Sequence, residues 1–443
     1  MSNVKSPIKR TLASETSYSV GKEVLLKGWV KARRDHGKLI FIDLLDRSGI
    51  VQIVIKESQV LHLEDVIEVV GVVNKRPTEM ANKNLPTGKI EVAAKTINIL
   101  SKAETLPFDM GETLNLELPT LLDWRPLTLR HPKVAAVFKV QAALLEGFRQ
   151  EAEKLGCVEI IVPTIVVSST EGGAELFPIK YYDHRAFLSQ SPQLYKQMMV
   201  PVFERVWTIA HAYRAEPSVT TRHLTETTQM DCELGFVEFE ELLNILEEMA
   251  IKMVKNVKVE EKVAIGKIPR LTLPEAQEVI LKEYGRDERG EKDLSPQDEV
   301  DICKWAKEKH GSDFVTITHF PTSAKPFYIM PDPKNPQSSL SYDLLFRGVE
   351  ILSGSQRINN YQQLVNSIKS RGLNPQDFEL YLQAFKYGMP PEGGFSFGLE
   401  RITMKLLGLA NVREASLFPR DMERIDVRLS SHEKKNSKET GKH

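Results

Sequence analysis

Between residues 23 and 100, short apolar runs rich in β-branched residues alternate with polar turn residues. The runs are Glu23–Lys31, Lys38–Asp46, Gly49–Ile55, Asp65–Val73 and Lys89–Leu100. Turn signals separate them, for example Asp35-His36-Gly37 and Arg47-Ser48-Gly49. Five such runs within about 80 residues predict a small β-barrel. The pattern then changes. Residues 101–125 show no clear period and read as a hinge. From Pro132 to Leu155 apolar residues recur at helical spacing, which predicts a long amphipathic helix stopped by Gly156. A strand over Val158–Val162, ending at Pro163, follows. The remainder alternates strands, such as Arg205–Ala210, with helices, such as Phe239–Val257 and Tyr361–Ser370. Residues 283–310 are charged, lack strong apolar alternation and read as an inserted helical module. The polar residues after Leu429 read as a disordered tail.

Composition narrows the picture. Lys+Arg is 59 against 60 Asp+Glu in 443 residues, so any polyanion site must be a local patch. Such a patch is present: residues 1–38 hold nine Lys/Arg and three acids. Phosphate contacts supply most non-specific affinity for nucleic acid. A basic five-stranded barrel therefore suits an OB-fold that binds RNA, with a docking barrel as the alternative. Trp29 is expected in the barrel core, and Phe41 either there or on the surface, where bases stack. Cys157, Cys232 and Cys303 are far apart and form no CxxC pair, which argues against structural zinc and for a reducing compartment. No apolar run approaches the ~20 residues of a membrane helix, and the first residues do not read as a signal peptide. The expected location is the cytoplasm.

Neither GxxxxGK[ST] nor a strand-linked GxGxxG occurs, so a nucleotide site here must hold phosphates with side chains. Two segments suit that task. In Ala212–Phe236, Arg214 and Glu216 alternate on one strand, a turn-rich stretch leads to Arg222-His223, and a second strand follows over Gln229–Phe236. Arginine binds phosphate as a planar fork. A surface hairpin with ion pairs is the bland alternative. In Pro390–Arg401, glycines 393, 394 and 398 permit close backbone approach to a ligand, and Arg401 sits where a helix begins, over Ile402–Leu407.

Together the two segments resemble motifs 2 and 3 of the class II aminoacyl-tRNA synthetases, and Gly156–Pro163 (GCVEIIVP) resembles motif 1. The likeness runs over nearly the whole chain. Ser169–Phe177 (STEGGAELF), Gln190–Gln197 (QSPQLYKQ), Arg347–Arg357 (RGVEILSGSQR) and Phe385–Gly388 (FKYG) resemble the aspartyl enzymes of compact, archaeal and eukaryotic type. The resemblance implies an α+β architecture. An OB-fold anticodon-binding domain covers 1–100, a hinge 101–125 and a catalytic domain on an antiparallel sheet 126–429. It implies a homodimer that uses ATP, L-aspartate, Mg²⁺ and tRNA-Asp. Whether tRNA-Asn is charged too is left open.

The same resemblance assigns roles. Arg214 clamps the ATP α-phosphate and the substrate carboxylate, and Arg401 holds the γ-phosphate. Glu216 reads adenine and Phe236 stacks beneath it. Arg222, His223 and Leu224 lie near the phosphates, with Gly398 beside the nucleotide. Glu350 and Ser353 are the Mg²⁺ ligands, hard oxygen donors. Asp343 supports them or else caps a helix or loop. Glu171, Gln193, Lys196, Ser353 and Arg357 form the amino-acid pocket, where two cations favour a carboxylate over an amide. Arg34, Phe41 and Gln52 read the anticodon. Pro217-Ser218-Val219 and Ser396 depart from the family's usual motifs 2 and 3. The rivals are an asparaginyl enzyme, an RNA-binding paralogue without ligase activity, and an amide-forming paralogue. Retention of Arg214, Glu216, Glu350 and Arg401 argues against the second, and the basic barrel against the third.

Overall fold

The structure is a computed structural model and describes residues 9–37, 39–56, 60–167, 176–215, 219–259, 261–426 and 428–429. The expectations for Glu171, Glu216 and the tail lie outside them. The chain divides into two units, Met1–Asn115 and Leu116–His443.

In the first unit, strands Glu23–His36, Leu39–Asp46, Gly49–Ile55, Val66–Lys75 and Ile90–Ser101 close a barrel. In barrel order, the Ile90–Ser101 strand lies between Gly49–Ile55 and Val66–Lys75. Closure leaves no open sheet edge. Inward residues alternate with outward ones. Val24, Leu26 and Val30 meet Ile42, Leu44, Val51, Ile53, Ile67 and Val69 in the core. The same alternation puts Trp29 outside, 39% exposed. This corrects the expectation of a core tryptophan. Its neighbours Gly28 and Val30 hold the inward positions, and Gly28 is required because a Cβ there would stand 2.3 Å from the Leu45 carbonyl oxygen.

The second unit is built on an eight-stranded sheet. Its order is Arg270–Thr272, Phe314–Thr318, Ser341–Phe346, Val349–Gln356, Glu392–Gly398, Glu226–Gly235, Arg205–Tyr213 and Val158–Glu159. The interior pairings are antiparallel, and the two edge strands pair in parallel. The helices Pro132–Lys154 and Phe239–Lys255 cover one face. Leu144, Phe148, Leu242, Leu246 and Met249 pack there on Met230, Cys232, Phe395 and Phe397. Residues 118–123, within the expected hinge, form one short helix of this unit, and a second, Arg125–Thr128, starts on the last residue expected to be hinge. In the 283–310 segment the helix Leu273–Tyr284 ends, and a second helix runs over Pro296–His310, where a Ser295–Asp298 capping box starts it.

Candidate active site

The opposite face of the sheet is polar because the strand period is two. Gln229, Asp231 and Glu233 alternate with the core residues Met230, Cys232 and Leu234. Across the ladder, Asp231 faces Ser396, which faces Ser353, which faces Asp343. Glu233 faces Gly394, which faces Ser355. From this face Gln229, Ser396 and Ser353 line a cavity of about 300 Å³.

Eleven of the sequence-predicted site residues line this one cavity: Gln193, Lys196, Arg214, Arg222, His223, Leu224, Glu350, Ser353, Arg357, Gly398 and Arg401. At one end stand two buried cations. Lys196, on the helix Gln193–Phe203, is 1% exposed. Its ammonium lies 2.8 Å from Asp231 and 3.1 Å from Glu233. Burial alone would lower its pKa, but the two carboxylates outweigh that and hold it above its ordinary value. Arg357 donates from Nε to Glu233 at 2.7 Å, from Nη1 to Ser355 Oγ at 2.6 Å, and from Nη2 to Gln193 Oε1 at 3.2 Å and the Gly394 carbonyl at 3.0 Å. Behind Glu233 lies Glu392, fully buried, which accepts from Gln197 Nε2 at 2.7 Å. Burial and the Glu233 charge push the Glu392 carboxyl well above the usual range, toward its neutral form. The four remaining ionised groups, Lys196, Arg357, Asp231 and Glu233, cancel in charge. Two of the three Lys196 protons and one of the two Arg357 Nη1 protons are used, so each cation keeps a donor.

The other end is also cationic. The Arg214–Thr225 connection between paired strands is closed by the bond from the Arg214 N–H to the Thr225 carbonyl, 2.9 Å. His223 Nδ1 lies 2.7 Å from Thr220 Oγ1. Arg222 lines the cavity but also donates to Glu299 at 2.7 Å, Gly348 O at 3.1 Å and Pro296 O at 3.3 Å. Arg401, in the first turn of the helix Leu399–Leu406, donates to the Glu350 carboxylate and carbonyl, both at 3.2 Å. A bulge moves the register from Leu344↔Leu352 to Leu345↔Glu350. It skips one residue and turns Glu350 to the same side as Ser353. Burial would raise the Glu350 pKa, but Arg401, Lys325 and Arg214 outweigh it and hold the carboxyl low. Glu299 is pushed up to about 7 by burial and by Glu350.

Two expectations need correction, and one left open is decided. Phe236 does not reach the cavity. It follows the far end of the Glu226–Gly235 strand, about 30 Å from the Arg214 loop at ~3.4 Å per residue, is 67% exposed, and its N–H donates to the Pro391 carbonyl. Its positive φ of 55° marks it as a turn residue. Gly393 and Gly394 make room for protein rather than ligand. A Cβ at 393 would meet Leu242 Cδ1 at 2.3 Å, and one at 394 would meet Glu233 Oε2 at 2.2 Å. Only Gly398 of the three opens onto free space, its nearest neighbour being Arg401 at 3.9 Å. Asp343 caps nothing. It stands mid-strand, 3.2 Å from the Lys325 ammonium, and burial raises its carboxyl to about 6. Sequence reasoning missed Asp231, Glu233, Glu392 and Lys325. The legible signal was three acids at alternate or paired strand positions, which no soluble strand buries without cations.

In the barrel, Arg34 pairs with Phe41 across two strands, and Asp43 with Gln52 across the next. All four face outward. Arg34 grips Asp43 with two bonds of 2.9 and 2.7 Å. Phe41 is half-buried, its ring edge-on to His36 with centroids 5.6 Å apart. Gln52 donates to Glu91 at 3.3 Å.

The family model described as tRNA synthetases class II (D, K and N) matches residues 117–422. The chain belongs to the class II tRNA synthetases. A second model, the OB-fold nucleic acid binding domain, matches residues 24–100 of this synthetase, the barrel. It is 42% identical to an aspartate–tRNA(Asp/Asn) ligase of Deinococcus radiodurans, over 95% of this chain and 99% of that protein. It is 39% identical to an aspartate–tRNA(Asp) ligase of Pyrococcus horikoshii, over 91% and 96%. Among solved structures, the synthetase fold is similar to the asparaginyl-tRNA synthetase of Pyrococcus horikoshii complexed with asparaginyl-adenylate. The TM-score is 0.86 at 31% identity, covering 95% of this chain and all of that one.

Proposed function

We propose that this synthetase is an aspartate–tRNA ligase. It joins L-aspartate to ATP as aspartyl-adenylate, releases pyrophosphate, and passes the aspartyl group to the terminal ribose of tRNA. The observation that carries the choice of amino acid is the pair of buried cations, Lys196 and Arg357, each with one donor left for a ligand at the same end of the cavity. One carboxylate accepts from two such donors. A side-chain amide presents a single acceptor and two N–H groups, which would face the cations unfavourably. The asparaginyl reading, favoured by the structural likeness to an asparaginyl enzyme, requires that pair to face an amide.

The reacting end supports displacement at phosphorus. Arg214, His223 and Arg401 surround the space where a triphosphate would lie, and positioning with charge stabilisation does most of the work in such a transfer. Glu350 and Ser353 offer a carboxylate and a hydroxyl oxygen to the same space, hard donors that fit Mg²⁺. No group of three or more His, Cys, Asp or Glu among the described residues is placed to cage a metal, so the ion would arrive with the triphosphate. Bound there, it neutralises phosphate charge.

The barrel serves as the anticodon reader, with Phe41 as stacking platform and Arg34 and Gln52 beside it. Dimerisation through the motif 1 region is supported by apolar residues left in solvent there, Ile161 at 97% exposed and Val167 at 80%. The cysteines are buried and unbridged, which fits the cytoplasm, and no helix among the described residues can cross a membrane. ATP–pyrophosphate exchange with each amino acid tests the reading. Aspartate should drive exchange and asparagine should not, and exchange driven by asparagine overturns it. Charging purified tRNA-Asp and tRNA-Asn side by side then defines the RNA substrate.

A further inference from the structure

A second, smaller cavity of about 150 Å³ lies on the other side of the Arg214–Thr225 connection. Its lining includes Leu122, Val219, Arg413, Asp421, Arg424 and Arg428. Glu423 also borders it, so three guanidiniums face two carboxylates.

The arginines are not evenly satisfied. Arg413 is 7% exposed. Its Nε is taken by Asp421 at 2.6 Å, and its Nη1 by the Thr220 carbonyl at 3.0 Å and Asn411 Oδ1 at 3.2 Å. Its Nη2 has no hydrogen-bond partner among the described residues. Arg424 is 5% exposed. Its Nη2 is bound to Asp123, and its Nη1 has no partner among the described residues. Asp421 accepts from Arg413 Nε and from the Glu423 N–H at 2.7 Å and bonds to neither of these two nitrogens. Two buried cationic donors without acceptors, on two side chains lining one cavity, are costly unless an anion completes them. Arg428, exposed at the same cavity, adds a third guanidinium.

We propose that this cavity is a phosphate socket, occupied by a backbone phosphate of the RNA substrate. The inference rests on the aminoacylation reading for the RNA, though not for the anion chemistry. Guanidiniums converging from separate chain segments match a tetrahedral oxyanion. The volume also suits it, since a water takes about 30 Å³ of liquid. Placement argues for RNA. Val412 lines the main cavity and its neighbour Arg413 lines this one, while Arg222 and Val219 divide in the same way along a single loop. A strand whose 3′ end enters the main cavity passes within a nucleotide or two of the socket.

The test uses the full chain and the double variant Arg424→Lys/Arg428→Gln, which keeps a cation on Asp123. Three quantities are measured: tRNA affinity against salt, ATP–pyrophosphate exchange without tRNA, and the Tm with and without inorganic phosphate. The proposal expects tRNA binding about tenfold weaker, a salt slope shallower by about one phosphate contact, and unchanged exchange. If tRNA binding is unchanged but phosphate raises the Tm of the wild type alone, the phosphate chemistry stands and the RNA source is overturned. If neither responds, the socket itself is overturned. Should the double variant fail to fold, Arg428→Gln, altered only at an exposed side chain, carries the same readouts. A wild-type protein that charges no tRNA would sink the aminoacylation reading, while its phosphate response would still report on the socket.

Discussion

Replacing Lys196 by methionine removes one charge from a fully buried group of four. The methylene stem survives, so packing changes little. What is lost is the ammonium 2.8 Å from Asp231 and 3.1 Å from Glu233. Glu233 keeps the Arg357 fork. Asp231 keeps only the Ser396 hydroxyl at 3.1 Å. Breaking a buried pair from one side costs about 3–5 kcal/mol, because the other charge stays behind. The deserted Asp231 responds by holding a proton, since burial already pushes its carboxyl up and Lys196 opposes that push. Its folded pKa then lies further above the unfolded value. The added destabilisation is therefore absent below the unfolded pKa of about 3.9 and grows as pH rises toward the new folded pKa. Urea unfolding at several pH values should show the loss near neutrality and little of it near pH 4. The double variant Lys196→Met/Asp231→Asn should recover most of the stability, because no buried charge is left without a partner. It should not recover aspartate activation. Losing one charge-assisted contact to the substrate carboxylate costs about 2–4 kcal/mol, or about 30- to 1000-fold in kcat/KM. Equal stability losses in single and double variants would refute the ion-pair reasoning. Unchanged aspartate kinetics would remove Lys196 from the amino-acid site.

Glu392→Gln should match the wild type in stability near pH 4, where the carboxyl is protonated in the folded and unfolded chain alike, and be the more stable of the two near pH 7. Because the folded pKa is raised, wild-type stability falls with rising pH above about 4.3, and pH-dependent unfolding of the variant should lack that contribution. Arg401→Ala should slow adenylate formation far more than transfer from preformed adenylate, since the γ-phosphate leaves with pyrophosphate; equal slowing in single-turnover experiments would mark Arg401 as structural. Phe41→Ala should raise KM for tRNA by about 5- to 150-fold through a lost stack of roughly 1–3 kcal/mol, with tRNA-free exchange unchanged. A parallel fall in Tm and exchange would make Phe41 a packing residue instead.

The barrel strands were legible because their apolar runs and turn residues carry local information. Runs over 23–31, 49–55 and 89–100 differ from the observed strands mainly at their ends. Arg214, Arg222 and Arg401, which line one cavity, were legible through the resemblance of their segments to two family motifs. What stayed hidden depends on register. Trp29 lies one position out of phase with the core, and nothing in its own run says which phase faces inward until Val24, Leu26 and Val30 are placed. Phe236 was assigned to a nucleotide site by the resemblance to motif 2, but an extended strand carries it away. Asp231 and Glu233 were passed over as strand residues because their cations come from Lys196 and Arg357, at separations of 35 and 124 residues. Pairings at such distance leave no local trace.

That distance sets a schedule for the chain as it leaves the ribosome. Asp231 meets Ser396 across 165 residues, and Glu233 meets Arg357 across 124. At about 5–20 residues per second, roughly 8–30 s separate the emergence of Asp231 from that of the strand that receives it. Through most of that interval the acidic strand has Lys196 at hand and neither Arg357 nor the Glu392–Gly398 strand. A nascent chain stalled before residue 390 therefore displays an unfinished sheet edge carrying two carboxylates. Those charges resist pairing with a like edge on a neighbouring chain. The same acids that orient the cations in the finished enzyme thus act earlier as a guard against misassembly during synthesis.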